Sequence, residues 1–330
     1  MEFLSSLLTC FCKQLNSHAD DEWKLSFDPR TLQIATNFFS DLNLVGKHGF
    51  CPVYRGLMPN GQEVAVKKLP KASRESSREF RMEIDILVEI QHKNLVTFLG
   101  YCEEGPEMML VYEYLPNNSL EFFLFDKDRS WWLDWKRRFQ IIKGVADGLL
   151  YLHEEAFIRI VHRNIGACNV LLDEQFNPKI SALGQAKLFP GNVIHIICRV
   201  SGIIGYMAPE YELHEKLTEK ADVFSFGILV LEIVSGISSR NLRQSGDMSD
   251  LLSYTWRLYE EDEALELVDS SLASYNRNQA ELCIKLGLLC CQESVDARPD
   301  MKSINLILSA DLPILRKPIK PRFEFRNFNS

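Results

Sequence analysis

A short alternating segment, Val64-Ala65-Val66-Lys67, places a cation at the end of a predicted strand. A lysine in this position can hold the α- and β-phosphates of a nucleotide, and Glu83, midway along the next predicted helix, is placed to pair with it. Taken alone, the same residues describe an ordinary strand whose lysine points into water. The chemistry of the segment therefore depends on the motifs around it.

Further motifs follow in a fixed order along the chain. The segment 46–53 stands where a glycine-rich loop would cover nucleotide phosphates, His162-Arg163-Asn164 is followed by Asn169, and Ala208-Pro209-Glu210 comes later. Their order and spacing match the signature set of enzymes that transfer phosphoryl groups from ATP to proteins. In this context we interpret Lys67 and Glu83 as parts of a nucleotide site.

With these motifs the chain resembles the protein kinase family, and within it the plant receptor-like kinases, over about residues 31 to 310. Two phrases, Ser119–Phe125 and Ala264–Asp269, are similar to the cysteine-rich and S-domain receptor-like groups. The other segments that carry the resemblance are Val53–Gly56, His92–Val96, Leu110–Tyr114, Gly205–Tyr211, Asp222–Gly227, Leu289–Gln292 and Arg298-Pro299.

The resemblance implies an α+β, bilobal protein-kinase-like fold. A small β-rich N-lobe with one main helix would precede a larger helical C-lobe. The residue patterns agree, since short strand-like segments surround one helical period at 73–90. The all-round apolar run Phe226–Val234 predicts a central core helix. Longer helical periods dominate after Leu133, at Phe139–Glu154, Ala221–Ser235, Leu251–Glu260, Gln279–Gln292 and Met301–Ser309. The predicted limits are a leader at 1–30, an N-lobe at 31–112, a hinge at 113–117, a C-lobe at 118–310 and a flexible Pro-rich basic tail at 311–330.

The resemblance also implies a nucleotide site and a structural frame. Adenine would lie between Val53 and Ala65 on one side and Leu171 on the other, with Tyr112 as the gatekeeper. The implied nucleotide-binding residues are Gly46, Val53, Ala65, Lys67, Tyr112, Glu113, Tyr114 and Leu171. The implied structural residues are Arg163, Asp222 and the buried ion pair of Glu210 with Arg298.

At the reacting positions the chain departs from the family pattern. Asn164 stands where the family has a catalytic Asp, and an amide is no base near neutral pH. Ala182 replaces the Asp that anchors magnesium, which leaves Asn169 as the only surviving metal ligand. Gly166 replaces a phosphate-neutralising lysine, and side chains at His48 and Cys51 replace two loop glycines. The sequence therefore predicts weak magnesium binding or none.

The stretch between Gly184 and Ala208 lacks most of the hydroxyl residues whose phosphorylation usually switches this segment in the family. Its only hydroxyl side chains are Ser201 and Tyr206, and Ile203 stands where the family has a threonine lining the substrate site. Arg163, the usual partner of a phosphate there, has lost its expected ligand. Any single change could reflect drift or an error in the gene model, but together they favour loss of catalysis.

Three functional hypotheses remain open at this point. The first is a pseudokinase that acts as a scaffold or regulator for other kinases or receptor complexes. The second is a weakly active ATP-dependent Ser/Thr kinase that uses Lys67 and Asn169, and the third is a switch that binds ATP without turnover. ATP is the expected ligand in the last two and is compatible with the first.

Composition limits the partners and the compartment. A chain of 330 residues with 46% hydrophobic side chains is expected to fold, and its net charge of −8 argues against a nucleic-acid partner. Scattered cysteines indicate reduced thiols and a cytoplasmic location. Cys10 and Cys12 lie beside a short apolar stretch and leave two alternatives: palmitoylation with peripheral contact at the cytosolic face of the plasma membrane, or unmodified thiols.

Overall fold

The computed structural model describes residues 25–48, 51–70, 74–104, 107–240, 250–310 and 315–321, which form two compact units. The small unit holds the described residues up to Val88 together with Thr97–Tyr114, and the large unit holds Glu89–Val96 and the described residues from Leu115 onward. The architecture is α+β, with a β-sheet in the small unit and mainly helices in the large one, as the sequence predicts. The finer domain limits stay predictions.

The small unit is an antiparallel sheet accompanied by helices. Its elements are α1 (Pro29–Ala35), β1 (Leu44–His48), β2 (Cys51–Leu57), β3 (Glu63–Leu69), α2 (Arg74–Glu89), β4 (Phe98–Glu104) and β5 (Glu107–Glu113). The strand order is β1-β2-β3-β5-β4. Alternation in β3 buries Val64 and Val66 against Leu32 of α1 and Met109 and Val111 of β5. The same alternation turns Lys67 to the opposite face of the strand.

The large unit is mainly helical. Its helices are α3 (Leu120–Leu124), α4 (Trp135–Leu150), α5 (Pro209–His214), α6 (Glu219–Ser235), α7 (Leu251–Glu260), α8 (Arg277–Cys290) and α9 (Met301–Ser309). Its strands are β6 (Arg159–Val161), β7 (Val170–Leu172), β8 (Pro178–Ile180), β9 (Lys187–Phe189), β10 (Ile196–Ile197) and β11 (Lys216–Leu217). They pair antiparallel as β6 with β9, β7 with β8 and β10 with β11. Every residue from Ala221 to Ser235 of α6 is buried, which confirms the predicted central core helix.

Hydrophobic periodicity predicts most of these helices closely. The predicted segments 251–260 and 301–309 are helices α7 and α9 at the same bounds. Helix α4 begins at Trp135, before the predicted Phe139, because the Asp134 carboxylate caps it by accepting the N–H of Arg137 at 2.9 Å. A π-helical turn at Tyr151–Glu155 continues it.

Parts of the predicted termini and of the glycine-loop segment lie outside the described residues. This applies to Cys10, Cys12 and Gly49-Phe50. Within the tail, Pro318 is buried, and the Ile319 N–H donates to Oε1 of Gln292 at 3.1 Å. No helix among the described residues is long and apolar enough to cross a membrane. All cysteines in the described ranges are free thiols.

Candidate nucleotide and phosphoryl-transfer site

In the small unit, Lys67 and Glu83 form an ion pair. Lys67 Nζ lies 3.3 Å from Glu83 Oε1, and the two side chains are 11% and 9% exposed. Strand β3 presents the lysine, and helix α2 turns Glu83 toward it because Phe80, Ile84 and other apolar residues fix the buried face of that helix. The structure thus brings together the pair that spacing predicts.

The hydroxyl of Tyr112 contacts the same carboxylate. Its oxygen lies 3.5 Å from Glu83 Oε1, and the Tyr112 side chain is partly buried. Burial raises the pKa of Tyr112 well above its usual value, and the charge and hydrogen bond of Glu83 raise it further. Tyr112 therefore stays a neutral donor that helps to hold Glu83 beside Lys67.

Strand register gathers the other predicted nucleotide-binding residues of the small unit. Val53 pairs with Lys67 across β2 and β3, Ala65 pairs with Tyr112 across β3 and β5, and Gly46 pairs with Val53. The next two predicted residues, Glu113 and Tyr114, each contact another residue of the small unit. Oε1 of Glu113 accepts the N–H of Thr97 at 2.7 Å, and the guanidinium of Arg55 lies 5.1 Å from the centre of the Tyr114 ring. Leu171 belongs to β7 of the large unit.

In the large unit, Asp222 of α6 holds the segment 162–164 by its backbone. Its Oδ2 accepts the His162 N–H at 2.7 Å, its Oδ1 accepts the Arg163 N–H at 2.8 Å, and His153 Nε2 lies 2.9 Å from Oδ2. Burial alone would raise the pKa of Asp222, but the hydrogen bonds from His153 and His162 outweigh it and lower the pKa. Sequence reasoning missed His153, for which no local pattern exists.

Two asparagines occupy the centre of this loop. Asn164 and Asn169 are 6% and 4% exposed, and Nδ2 of Asn169 donates to the Asn164 carbonyl at 2.7 Å. The carbonyl of Asn169 accepts the N–H and the hydroxyl of Ser181, each at 2.9 Å. The loop is therefore assembled around neutral amides, without a carboxylate at either position.

Ala182 follows in the left-handed region of backbone space. Its φ is 71° and its ψ is 40°, and it precedes a 3-10 turn at Leu183–Gln185. A methyl group offers no metal ligand, and among the described residues no group of three or more His, Cys, Asp or Glu side chains could hold a metal ion. Ala182 therefore has a sparsely populated backbone conformation, while its methyl group can neither bind a metal ion nor transfer a proton.

Arg163 has neutral hydrogen-bond partners in place of the phosphate that the family pattern would supply. Its Nε donates to the Tyr211 hydroxyl at 2.9 Å, and its Nη1 and Nη2 donate to the carbonyls of Gln185 and Arg199, each at 2.8 Å. Tyr211 could have been found only through its place after Ala208-Pro209-Glu210. These hydrogen bonds connect Arg163 to the segment that runs from Gln185 to Tyr211, and they need no phosphate.

The predicted ion pair of Glu210 and Arg298 is present in the large unit. Nη1 and Nη2 of Arg298 each donate to one carboxylate oxygen of Glu210, at 2.7 Å in both cases. Arg298 also donates to the carbonyls of Gln292 and Lys220, at 2.8 and 3.0 Å. The bidentate geometry and full set of acceptors fit a structural role.

Comparisons with known proteins agree with this geometry. The chain is 46% identical over 298 residues to cysteine-rich receptor-like protein kinase 29 of Arabidopsis thaliana, covering 89% of this chain and 44% of that protein. It is 44% identical over 306 residues to cysteine-rich receptor-like protein kinase 19 of the same plant, covering 92% and 47%. It is 45% identical over 306 residues to the plant's G-type lectin S-receptor-like serine/threonine-protein kinase B120, covering 92% and 36%.

The chain spans less than half the length of these curated relatives. The family model described as protein tyrosine and serine/threonine kinase matches residues 40–308. A kinase domain implies ATP binding, normally with magnesium. From the loop geometry, the ion pairs and this match, the chain belongs to the protein tyrosine and serine/threonine kinase family.

Proposed function

We propose that this chain is a pseudokinase, a kinase fold that works as a signalling scaffold or regulator with phosphoryl transfer lost or very weak. The observation that carries the proposal is selective loss. The loop 162–169 is held by Asp222, yet Asn164 and Ala182 stand at the two positions where the chemistry needs carboxylates.

Loss of the base removes one part of the reaction. The catalytic carboxylate accepts the proton of the attacking hydroxyl, and general base catalysis is worth roughly 10²- to 10⁴-fold in rate. The neutral amide of Asn164 can bond a hydroxyl but takes no proton near neutral pH. Proton transfer would then fall to water.

Loss of the metal ligand removes another part. Magnesium in such sites is held by a carboxylate together with phosphate oxygens. Asn169 supplies only an amide oxygen, and its NH₂ group is already engaged with the Asn164 carbonyl. Since Ala182 adds no donor, these residues do not fit a tightly bound magnesium ion.

The role follows from what is retained. A folded module that does not transfer phosphate acts through binding, and the relatives are named as receptor-like kinases. The partners we propose are therefore active kinases or receptor complexes at the cytosolic face of the plasma membrane. Acylation of Cys10 and Cys12 would add peripheral attachment.

A second candidate is a switch that binds nucleotide without turnover. It is favoured by the retained pair of Lys67 and Glu83, because a lysine held at 3.3 Å from its glutamate is oriented for phosphates. In this case ATP would raise the melting temperature of the chain in the absence of magnesium. A Lys67→Met variant would lose that shift, and equal shifts in both proteins would contradict nucleotide binding through Lys67.

The deciding experiment measures phosphoryl transfer from ATP by the full chain, with magnesium or manganese and a general protein substrate. We expect no transfer above that of Lys67→Met. Transfer that Lys67→Met abolishes would refute the pseudokinase proposal and establish the alternative, a weakly active Ser/Thr kinase.

A further inference from the structure

Gly166 packs against Ile203 within the large unit. A Cβ atom built on Gly166 would lie 2.7 Å from Ile203 Cδ1, closer than real Cβ contacts come. The φ of Gly166 is 175°, an extended conformation open to any residue. The restriction at position 166 is therefore one of space, and the end of the Ile203 side chain must shift before a Cβ can be admitted.

The second neighbour of this position is the ring of Tyr206. Its Cζ and Cε1 would lie 3.2 and 3.3 Å from the same Cβ. The ring is 2% exposed, and its hydroxyl accepts the Ala167 N–H at 3.2 Å while it donates to a carboxylate oxygen of Glu232. Tyr206 is thus held at its far end and cannot swing aside to admit a side chain.

The backbone before Ile203 is also seated on the loop. A Cβ on Gly202 would lie 2.6 Å from the carbonyl oxygen of Arg163, so the two backbones are in close contact. The carbonyl of Arg199 accepts from the Arg163 guanidinium at 2.8 Å. Ile203 consequently follows a segment that contacts the loop at Arg199 and at Gly202.

We infer that Gly166 and Ile203 are a matched pair that closes the substrate side of the loop 162–169. The inference rests on the proposed function, since position 166 is where the family has a phosphate-neutralising lysine and 203 is where it has a threonine lining the substrate site. The apolar side chain of Ile203 fills the space that the lysine stem would need. This closure is independent of the two missing carboxylates.

A double-mutant cycle tests the pair through stability alone. Gly166→Ala, Ile203→Ala and the double variant of the full chain are unfolded in urea. We expect Gly166→Ala to raise the unfolding equilibrium constant roughly tenfold, because an added methyl overpacks a filled site. Most of this effect should vanish when Ile203 is already alanine. Additive effects would overturn the inference, because they would mean that the cost of the added methyl does not come from Ile203.

Gly46→Ala is the matched control for the added methyl. Nothing lies within 4 Å of a Cβ at Gly46, so its effect should be small and additive with Ile203→Ala. Coupling of similar size at Gly46 would show that the cycle reports something other than contact, and would also overturn the inference.

Phosphoryl transfer gives a second readout that separates this inference from the proposed function. With both carboxylates restored by Asn164→Asp and Ala182→Asp, we expect peptide phosphorylation to rise at least tenfold when Gly166→Lys and Ile203→Thr are added. Equal rates with and without the added pair would overturn the closure. Transfer by the unchanged chain would refute the pseudokinase proposal instead, and it would leave the stability cycle as a valid test.

Discussion

At the scale of single residues, Ala182 adopts a left-handed backbone conformation although it carries a Cβ atom. The left-handed conformation at φ 71° costs a residue with a Cβ about 1–2 kcal/mol. Glycine adopts it freely but loses about 0.4–1 kcal/mol through its more flexible unfolded state. We therefore expect Ala182→Gly to stabilise the protein by about 0.5–1 kcal/mol, measured by urea unfolding.

Ala186→Gly is the control for this prediction. Ala186 lies in the same segment at φ −61°, an ordinary conformation for alanine. Glycine there should lower stability, since it adds only unfolded-state flexibility and removes a buried methyl. A loss at Ala182 as large as that at Ala186 would contradict strain at position 182.

Glu232 is a buried acid whose ionisation opposes folding. Burial raises its pKa from 4.5 to about 7, although hydrogen bonds from Tyr206 and Ser239 and the charge of Arg240 act in the other direction. An acid with a raised pKa binds its proton more tightly when folded, so its contribution to stability falls as pH rises from about 4.5 to about 7.

Glu232→Gln removes this ionisation. Relative to the variant, the unchanged chain should lose roughly 3 kcal/mol of stability across that pH window, because one pKa unit corresponds to about 1.4 kcal/mol. The measurement is the urea unfolding free energy of both proteins as a function of pH. Parallel curves would mean that Glu232 does not titrate differently in the folded state.

At the scale of elements, helix α6 holds the loop 162–169 through the carboxylate of Asp222. Asp222 accepts backbone N–H groups at both of its oxygens, so Asp222→Asn would turn an amide NH₂ toward a donor. A buried donor without an acceptor costs about 1–3 kcal/mol, and we expect that loss in urea unfolding. Ser225→Ala removes one buried hydroxyl from the same helix. Its loss of unfolding free energy is the reference for an ordinary buried hydrogen bond.

The sequence allowed the elements to be predicted to different extents. Helices such as α7 and α9 follow from hydrophobic periods long enough to define a face. The pairs β6–β9 and β10–β11 were not predicted, because strands of two or three residues contain no period. Their partners lie far apart in the chain, and only tertiary packing brings them together.

The candidate site could be predicted where motif positions fix it. Lys67 and Glu83 meet as their spacing indicates. The resemblance implies Asp222 only as a structural residue, and the structure shows which backbone N–H groups it binds. The contact between Gly166 and Ile203 could not be foreseen, because each residue was visible only as a separate loss. A motif shows which side chain is missing from a position. Only the folded structure shows which neighbouring side chain fills the vacated space.

At the scale of the whole molecule, the ion pair of Glu210 and Arg298 tests how much one buried interaction contributes to the free energy of unfolding. Arg298 has no exposed side-chain surface and meets four acceptors, two of them on Glu210. Arg298→Leu would leave the Glu210 carboxylate without its cation and two carbonyls without a donor. Breaking a buried pair from one side costs about 3–5 kcal/mol, so the variant should unfold at much lower urea.

The contrast with a surface pair makes this last prediction specific. Lys285 lies 3.2 Å from Glu281 on α8, and the two side chains are 36% and 49% exposed. Because exposed pairs contribute about 0–1 kcal/mol, Lys285→Leu should change the unfolding free energy little. If both variants lose similar stability, the buried pair has no special weight in this fold. A large loss of unfolding free energy confined to Arg298→Leu would mean that the stability of the fold depends on this pair, although the catalytic carboxylates are absent.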